Sequence, residues 1–367
     1  MDVIQNGDIG QCFVLYGQKR SGKTSILYQL KRKLTSNCFT IIVSLGETDV
    51  DHNDKQINFI DRCITAIQEK LEDEFNISFT EIPSRDDIKE RPSESFRKAL
   101  RELTTLLKDN SISENPRVIL LIDEFTYVFE YIKEGIVSPQ FMRNWKALLQ
   151  MKLFSAVVVG QDSMPKFKQA YPNEFGSTYD ERISYLSPSE ARKLAEDPIL
   201  YNDKSRYRGH ALERLLELTA GSPFYTNIMC DKLVNYLNAR KAPFITEADI
   251  DAVLYGWKNG KDEMSGLISG NEILPIERFD PLITAAGESV AEFPREKYLQ
   301  ILTAIACKRR GAQKSDLPPF DNLNEILKDM HDREVIKTEA DNYLIRVGLF
   351  AEWLRRNHVI SGVKNYD

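Results

Sequence analysis

Eight residues near the start of the chain, Gly17, Gln18, Lys19, Arg20, Ser21, Gly22, Lys23 and Thr24, have the types and spacing to hold a chain of phosphates. Backbone N–H groups reach such a polyanion only where side chains do not intervene, and the two glycines supply that clearance. Gly17 permits the turn out of a strand, Gly22 permits close approach, Lys23 meets the β- and γ-phosphates, and the Thr24 hydroxyl binds Mg2+. Ser25 extends the stretch that contacts ATP. The loop also opens a helix, whose N-terminal dipole favours an anion. A basic turn ahead of any helix shares the bare pattern, so a second motif decides the reading. It is the run VILLIDEF at residues 118–125, in which Asp123 leaves the end of a buried strand to hold the Mg2+ shell. Glu124 follows as the base for an attacking water. An acidic pair after a strand is also a common helix cap; its pairing with the glycine loop selects an ATP-hydrolysing site with ATP and Mg2+ as cofactors.

The elements that must position these groups are legible around them. Phe13 to Tyr16 is an apolar run entering the loop, and Ile26, Leu27, Leu30 and Leu34 recur at helical spacing beyond it. Strand expectations follow at Thr40 to Leu45, Val118 to Ile122 and Ala156 to Gly160, with a fifth at Ile183 to Leu186. Pro83 and Pro92 punctuate a polar, helix-rich stretch, and Phe141, Trp145, Leu148 and Leu149 mark an amphipathic helix. Nearly continuous apolar strands alternating with helices imply an α/β fold, a parallel sheet covered on both faces. A strand such as Thr40 to Leu45 lying between the two motifs in sequence, together with the glutamate beside Asp123, resembles the additional-strand branch of P-loop ATPases.

This reading divides the chain into a P-loop core at 1–186, a helical lid at 187–256, a linker at 257–293 and a last unit at 294–367. In the second part Leu212, Leu215, Leu216 and Thr219 share a helical face, Gly221 stops that helix, and Ser222 and Pro223 start another. The linker expectation rests on glycine, proline and polar residues between Gly256 and Phe293. Helices near Arg295 to Arg309 and Asn322 to Arg333, then strands at Val335 to Thr338 and Tyr343 to Val347, suggest a winged helix.

At 367 residues the chain exceeds what one hydrophobic core serves, and 42% hydrophobic beside 28% charged residues argues against disorder. The apolar runs are too short to cross a bilayer, and the opening residues lack a secretory pattern, so the expected location is cytoplasmic, with no membrane partner. Five cysteines without a CxxC pair read as reduced packing thiols, and four scattered histidines lack ligand spacing. A net charge of −6 restricts any contact with DNA to a local basic patch.

Taken in order, VLYGQKRSGKTS, ILLIDEF, AVVVGQDSMPKF, YLSPSEARKLAEDPI and LTAGSPFYTNIMCDKL resemble the AAA+-related STAND signalling ATPases and the archaeal-type ATPases close to them. The resemblance runs from about residue 10 to residue 255, and YLIRVGLFAEWLRRNH is similar to their appended winged helix. It implies an AAA+-like core, helical lid and winged helix acting as a nucleotide-gated switch on ATP and ADP, with self-association or a protein partner. Gln161 or Asp162 would occupy the sensor position that reads the γ-phosphate, Pro223 would lie against the adenine, and Arg182 stands where related ATPases present an arginine finger. A plain helix start for Pro223 and a solvated surface role for Arg182 stay open. The segment upstream of the P-loop strand, which helps bind the base in relatives, is expected to be short, and neither a repeat sensor nor an effector is legible. Two other classes compete: an origin-recognition-like DNA-binding ATPase and a non-hydrolysing nucleotide-binding scaffold. DNA is disfavoured because Asp321, Glu325, Asp329, Asp332 and Glu334 outnumber Lys328 and Arg333 on the presumed recognition helix.

Overall fold

A computed structural model describes residues 2–34, 37–46, 55–79, 82–259, 262–269, 273–285 and 291–357. The chain divides into two compact units, one mainly of residues 1–17 and 22–183, the other of 18–21, 184–285 and 291–367.

The first unit is built on five parallel strands: β1 (Cys12–Tyr16), β2 (Cys38–Ser44), β3 (Arg117–Asp123), β4 (Ser155–Gly160) and β5 (Tyr179–Arg182). Their order is β2-β3-β4-β1-β5, so β4 lies between the strand that enters the glycine loop and the strand that ends in Asp123. That is the additional-strand order of P-loop NTPases. The apolar run of β3 is continuous because both faces are covered. Leu120 and Ile122 join one core with Val14, Ala156 and Val158; Ile119 and Leu121 join another with Val157, Val159 and Leu27. Leu27 comes from the helix Lys23–Lys33 that follows the loop. On the opposite face the helix Pro92–Asp109 buries Phe96, Leu100 and Leu103, and the helix Gln140–Gln150 buries Phe141, Trp145, Leu148 and Leu149.

The fifth strand differs from the expectation at Ile183 to Leu186. It is Tyr179–Arg182, a polar edge strand paired only with β1 and mostly exposed. An edge strand with neither face fully covered has no need of an apolar run, so hydrophobicity pointed past it. Ile183 still donates its N–H to the Tyr16 carbonyl at 2.6 Å, after which the chain leaves the sheet.

The second unit begins with the helix Pro188–Glu196, whose Ser187 and Glu190 form a reciprocal capping box. The helices Ala211–Thr219, Pro223–Arg240 and Glu247–Tyr255 follow, burying Leu212, Leu215, Tyr225, Met229 and Leu233. Ala220 and Gly221, at φ 52° and 74°, end the second of these four helices. The stretch expected to be a linker packs into this core. It contributes the hairpin β6 (Trp257–Asn259) and β7 (Asp262–Met264), and buries Phe279, Leu282 and Ile283 completely. Phe279 stacks on Tyr225 at 5.5 Å and on Phe350 at 4.8 Å. Glycine and proline marked irregular backbone here, and irregular backbone was taken for loose chain. Residues 260–261, 270–272 and 286–290 of that stretch lie outside the described residues. The helices Arg295–Cys307 and Leu323–Asp332, the antiparallel pair β8 (Ile336–Glu339) and β9 (Asn342–Ile345), and the helix Gly348–Asn357 complete the unit. His358, which closes the last quoted motif, lies outside the described residues.

Among the described residues no helix is long and apolar enough to cross a membrane. The five cysteines are free thiols, and burial pushes the Cys12 thiol up to about 12.

Leu120→Ala opens a cavity at a fully buried position in β3. The expected loss is about 2 to 5 kcal/mol of unfolding free energy, read from urea denaturation. A loss below about 1 kcal/mol would contradict a close-packed sheet interior.

Candidate functional site

The glycine loop leaves β1 where the backbone is crowded. A Cβ on Gly17 would stand 2.2 Å from the Ile183 carbonyl oxygen, so only glycine fits. Gly22 is left-handed, at φ +92°, and a Cβ there would meet nothing within 4 Å. One glycine thus answers to crowding and the other to dihedral angle, and the second leaves clear space in front of the loop. Ser21 N–H donates to the Gln18 carbonyl at 3.2 Å, closing the turn, and Ile26 N–H reaches the Gly22 carbonyl at 3.1 Å to start the helix. The Ser21 hydroxyl oxygen is buried with no hydrogen-bond partner among the described residues.

Lys23 is buried, and its Nζ donates to the Gly17 carbonyl at 3.1 Å, folding the ammonium back across its own loop. Thr24, exposed on the first helical turn, donates its hydroxyl to Asp123 Oδ2 at 2.6 Å. Lys19 and Ser25 are exposed. Gln18 and Arg20 count with the second unit: the Gln18 amide donates to the Arg333 carbonyl at 2.7 Å, and the Arg20 guanidinium lies 4.4 Å from the centre of the Phe224 ring.

Asp123 is buried at the end of β3, and its Oδ1 accepts the Glu124 N–H at 2.9 Å. Glu124 adopts a left-handed conformation at φ 57°, unusual for a residue with a side chain. Such strain persists only where surrounding contacts impose it. Here the buried Gln161 amide donates to Glu124 Oε2 at 2.9 Å, and Gln161 N–H is fixed by the Thr126 hydroxyl at 3.2 Å. Burial, with the nearby Glu124 charge, raises the Tyr127 phenol above its ordinary range, and Tyr127 also hydrogen-bonds Gln161.

The two residues at the end of β4 therefore have different partners. Gln161 turns to Glu124, whereas Asp162 accepts from Arg182 Nη2 at 3.1 Å. That ion pair is well shielded, with side-chain exposures of 21% for Arg182 and 5% for Asp162. Lys23, Thr24, Asp123, Glu124 and Gln161 gather at the C-terminal ends of β1, β3 and β4, the Arg182–Asp162 pair stands at the β4 and β5 ends, and Pro223 occupies the first turn of its helix in the second unit. Sequence reasoning missed Tyr127 and Arg62. Arg62 donates to the carbonyl of Ser44, the residue in register with Asp123 across the β2–β3 pairing. Neither lies within a recognisable motif, since each acts through a contact that only the folded chain creates.

A hydroxyl and a carboxylate side by side suit Mg2+, which keeps waters and takes its remaining ligands from substrate phosphates. Among the described residues no three His, Cys, Asp or Glu side chains cluster to hold a metal unaided. The clear space at Gly22 and the partnerless Ser21 hydroxyl both fit a polyanion laid along the loop.

Residues 8–167 match the family model described as AAA domain. In fold the chain is similar to the Walker-type ATPase of Pyrococcus abyssi, with a TM-score of 0.56 at 15% identity, covering 94% of this chain and 91% of that one. The Cdc6p structure from Pyrobaculum aerophilum matches at TM-score 0.40 and 15% identity, covering 96% of this chain and 88% of that one. The Aeropyrum pernix Orc1 structure in complex with DNA matches at 0.43 and 13%, covering 95% and 87%. A search of curated proteins returns no match.

Arg182→Ala removes the guanidinium from a carboxylate that is 5% exposed. A stability loss of about 1.5 to 3 kcal/mol is expected in denaturant melts. Full stability with turnover abolished would instead assign Arg182 to phosphate contact.

Proposed function

With an AAA-type P-loop domain at residues 8–167 as the premise, we propose that the chain binds and hydrolyses ATP and acts as a regulatory switch of the STAND and AAA+ kind. The observation that carries this reading is the 2.6 Å Thr24–Asp123 pair, in which the first turn of the loop helix meets the end of β3 with a hydroxyl and a carboxylate suited to Mg2+. In the reaction Lys23 exchanges the Gly17 carbonyl for β- and γ-phosphate oxygens, which costs little because the ammonium already points into the loop. Thr24 and Asp123 are the residues that would hold a Mg2+ ion, which when bound would supply charge neutralisation to the phosphates. Glu124 accepts the proton of the attacking water, and Gln161 holds that carboxylate and reports the γ-phosphate. Gln18, Lys19, Arg20, Ser21 and Ser25 line the phosphates, and Pro223 contacts the base. Arg182, tied to Asp162, acts as a structural cation.

The second unit is read as a helical lid followed by a winged helix, with nucleotide state shifting its conformation or its association with a further copy or a protein partner. A cytoplasmic location accords with this role. Protein contact is favoured over DNA by the charges around the helix Leu323–Asp332. Asp321, Glu325 and Asp332 are exposed beside Lys328, while Arg333 is 3% exposed. The Arg333 guanidinium donates to Asp329 at 2.8 Å and to the Ile283 carbonyl at 3.1 Å, which removes it from any groove-facing surface. A helix entering the major groove with that balance would be repelled by phosphate.

Lys23→Ala is expected to lower ATP affinity by roughly 1.5 to 3 kcal/mol, about ten- to a hundred-fold, in calorimetric titration. Unchanged affinity would sink the assignment. Glu124→Gln should bind MgATP normally and hydrolyse it about a hundred-fold more slowly or worse. Normal turnover in that variant would make Glu124 a helix-capping residue.

Scattering and mass measurements should separate the ATP from the ADP form, and identical profiles would count against a switch. Duplex DNA at about 50 mM salt, where electrostatic binding is strongest, should bind no tighter than micromolar. Sub-micromolar binding would promote the origin-recognition reading.

A further inference from the structure

An open hollow of about 430 Å³ lies on the surface of the second unit, far in sequence from the glycine loop. Its walls are the helix Ala211–Thr219, the end of the helix Arg295–Cys307, strand β9 and the start of the helix Gly348–Asn357. One junction between walls is tight: a Cβ on Gly348 would stand 2.9 Å from the Glu217 carbonyl oxygen, so the two helices there meet backbone to backbone.

Charge distinguishes this cavity. Arg214, Lys308, Arg309 and Arg355 face two carboxylates, Glu217 and Glu352, a surplus of two positive charges. Both carboxylates are already engaged. Glu352 pairs with Arg355 and accepts the Tyr255 hydroxyl at 3.2 Å, and Glu217 stands 3.7 Å from Arg214. Lys308 is drawn 3.2 Å from Asp316. Arg309 makes no ion pair or hydrogen bond among the described residues. Ile305 and Leu344 line the same space beside these charged groups.

A concave space of this size falls in the range of small-ligand sites, about 300 to 1,000 Å³. A guanidinium presents a planar fork of donors that matches two oxygens of one anion, and phosphate is the common dianion of that geometry. We propose that this cavity binds a small phosphate-bearing anion, either free phosphate or a phosphomonoester, with Arg309 and Arg214 as its forked donors. With Arg214, Lys308 and Arg355 each beside a carboxylate, Arg309 is the cation there whose charge a bound anion would balance. The site is separate from the nucleotide, and it gives the second unit a ligand of its own.

The test uses the full chain saturated with MgADP, so that the glycine loop is occupied, titrated calorimetrically with inorganic phosphate and separately with glycerol 3-phosphate. Millimolar or tighter binding of at least one probe is expected, weakened at least ten-fold by Arg309→Ala and unaltered by Lys328→Ala, an exposed lysine of the same unit. Tighter binding of the ester would mark a metabolite as the source, and tighter binding of inorganic phosphate the free ion. Arg309 is exposed, so its removal should leave the melting temperature unchanged and the comparison clean. No heat from either probe, or binding that Arg309→Ala leaves intact, would overturn the proposal. Binding of a duplex DNA that Arg309→Ala abolishes, with both small anions silent, would overturn it in favour of a nucleic-acid surface.

Discussion

The Thr24–Asp123 hydrogen bond depends on a constraint of sheet order. The strands that carry the two motifs are not neighbours: β4 lies between them, so their ends are separated by two inter-strand spacings, about 9 to 10 Å. A loop that turned straight into its helix over β1 would leave Thr24 short of Asp123. The glycine loop solves this by running seven residues, Gly17 to Lys23, before the Thr24 hydroxyl, with Gly17 pressed against the chain beyond β5 and Gly22 left-handed at the helix start. The helix that follows packs Leu27 with Ile119 and Leu121 of β3 and Val157 and Val159 of β4, and its Thr24 hydroxyl meets the carboxylate. Shortening the loop with β4 in place would draw the Thr24 hydroxyl back from Asp123.

The same order places Gln161. It ends β4, the inserted strand, and so stands between the loop and the acidic pair. Its amide reaches Glu124, whose left-handed backbone turns the carboxylate away from the direction a simple strand end would give. The strained backbone is fixed by Asp123 Oδ1 on its N–H and by Tyr127 N–H on its carbonyl, while the side chain is held by the buried Gln161 amide. The raised Tyr127 phenol belongs to the same arrangement, because burial and a neighbouring carboxylate both oppose a second negative charge there.

How much of this was legible in the sequence follows from the physics of each signal. Strands β1 to β4 could be read because both faces are buried, which forces a continuous apolar run, and the loop because phosphate approach restricts residue type. The fifth strand could not, since YDER at a sheet edge satisfies no burial demand. Residues 257–293 were read as a linker because their composition is that of irregular chain, yet Phe279, Leu282 and Ile283 are fully buried within it. Composition averages over a window, whereas a core needs only a few residues at the right places. Partners across the fold were invisible for a related reason. Nothing in the string beside Arg182 points to Asp162 as its partner, because the pair is created by the ends of β4 and β5 arriving on either side of β1.

Burial also redistributes the charge that a sequence tally assigns to a surface. Arg333 counts as a cation of the helix Leu323–Asp332 when residues are tallied, but its guanidinium is spent on Asp329 and the Ile283 carbonyl and is closed off from solvent. That pair withdraws one charge of each sign, so the acidic balance of the helix is carried by the exposed Asp321, Glu325 and Asp332 beside Lys328. The opposite holds at the far end of the unit, where Glu352 is neutralised by Arg355 and Tyr255, and the nearby Arg309 keeps its charge. One unit therefore presents an acidic helix and a hollow where Arg309 keeps its charge, and the contrast comes from which cations find carboxylates within the fold, which a tally of residues does not reveal.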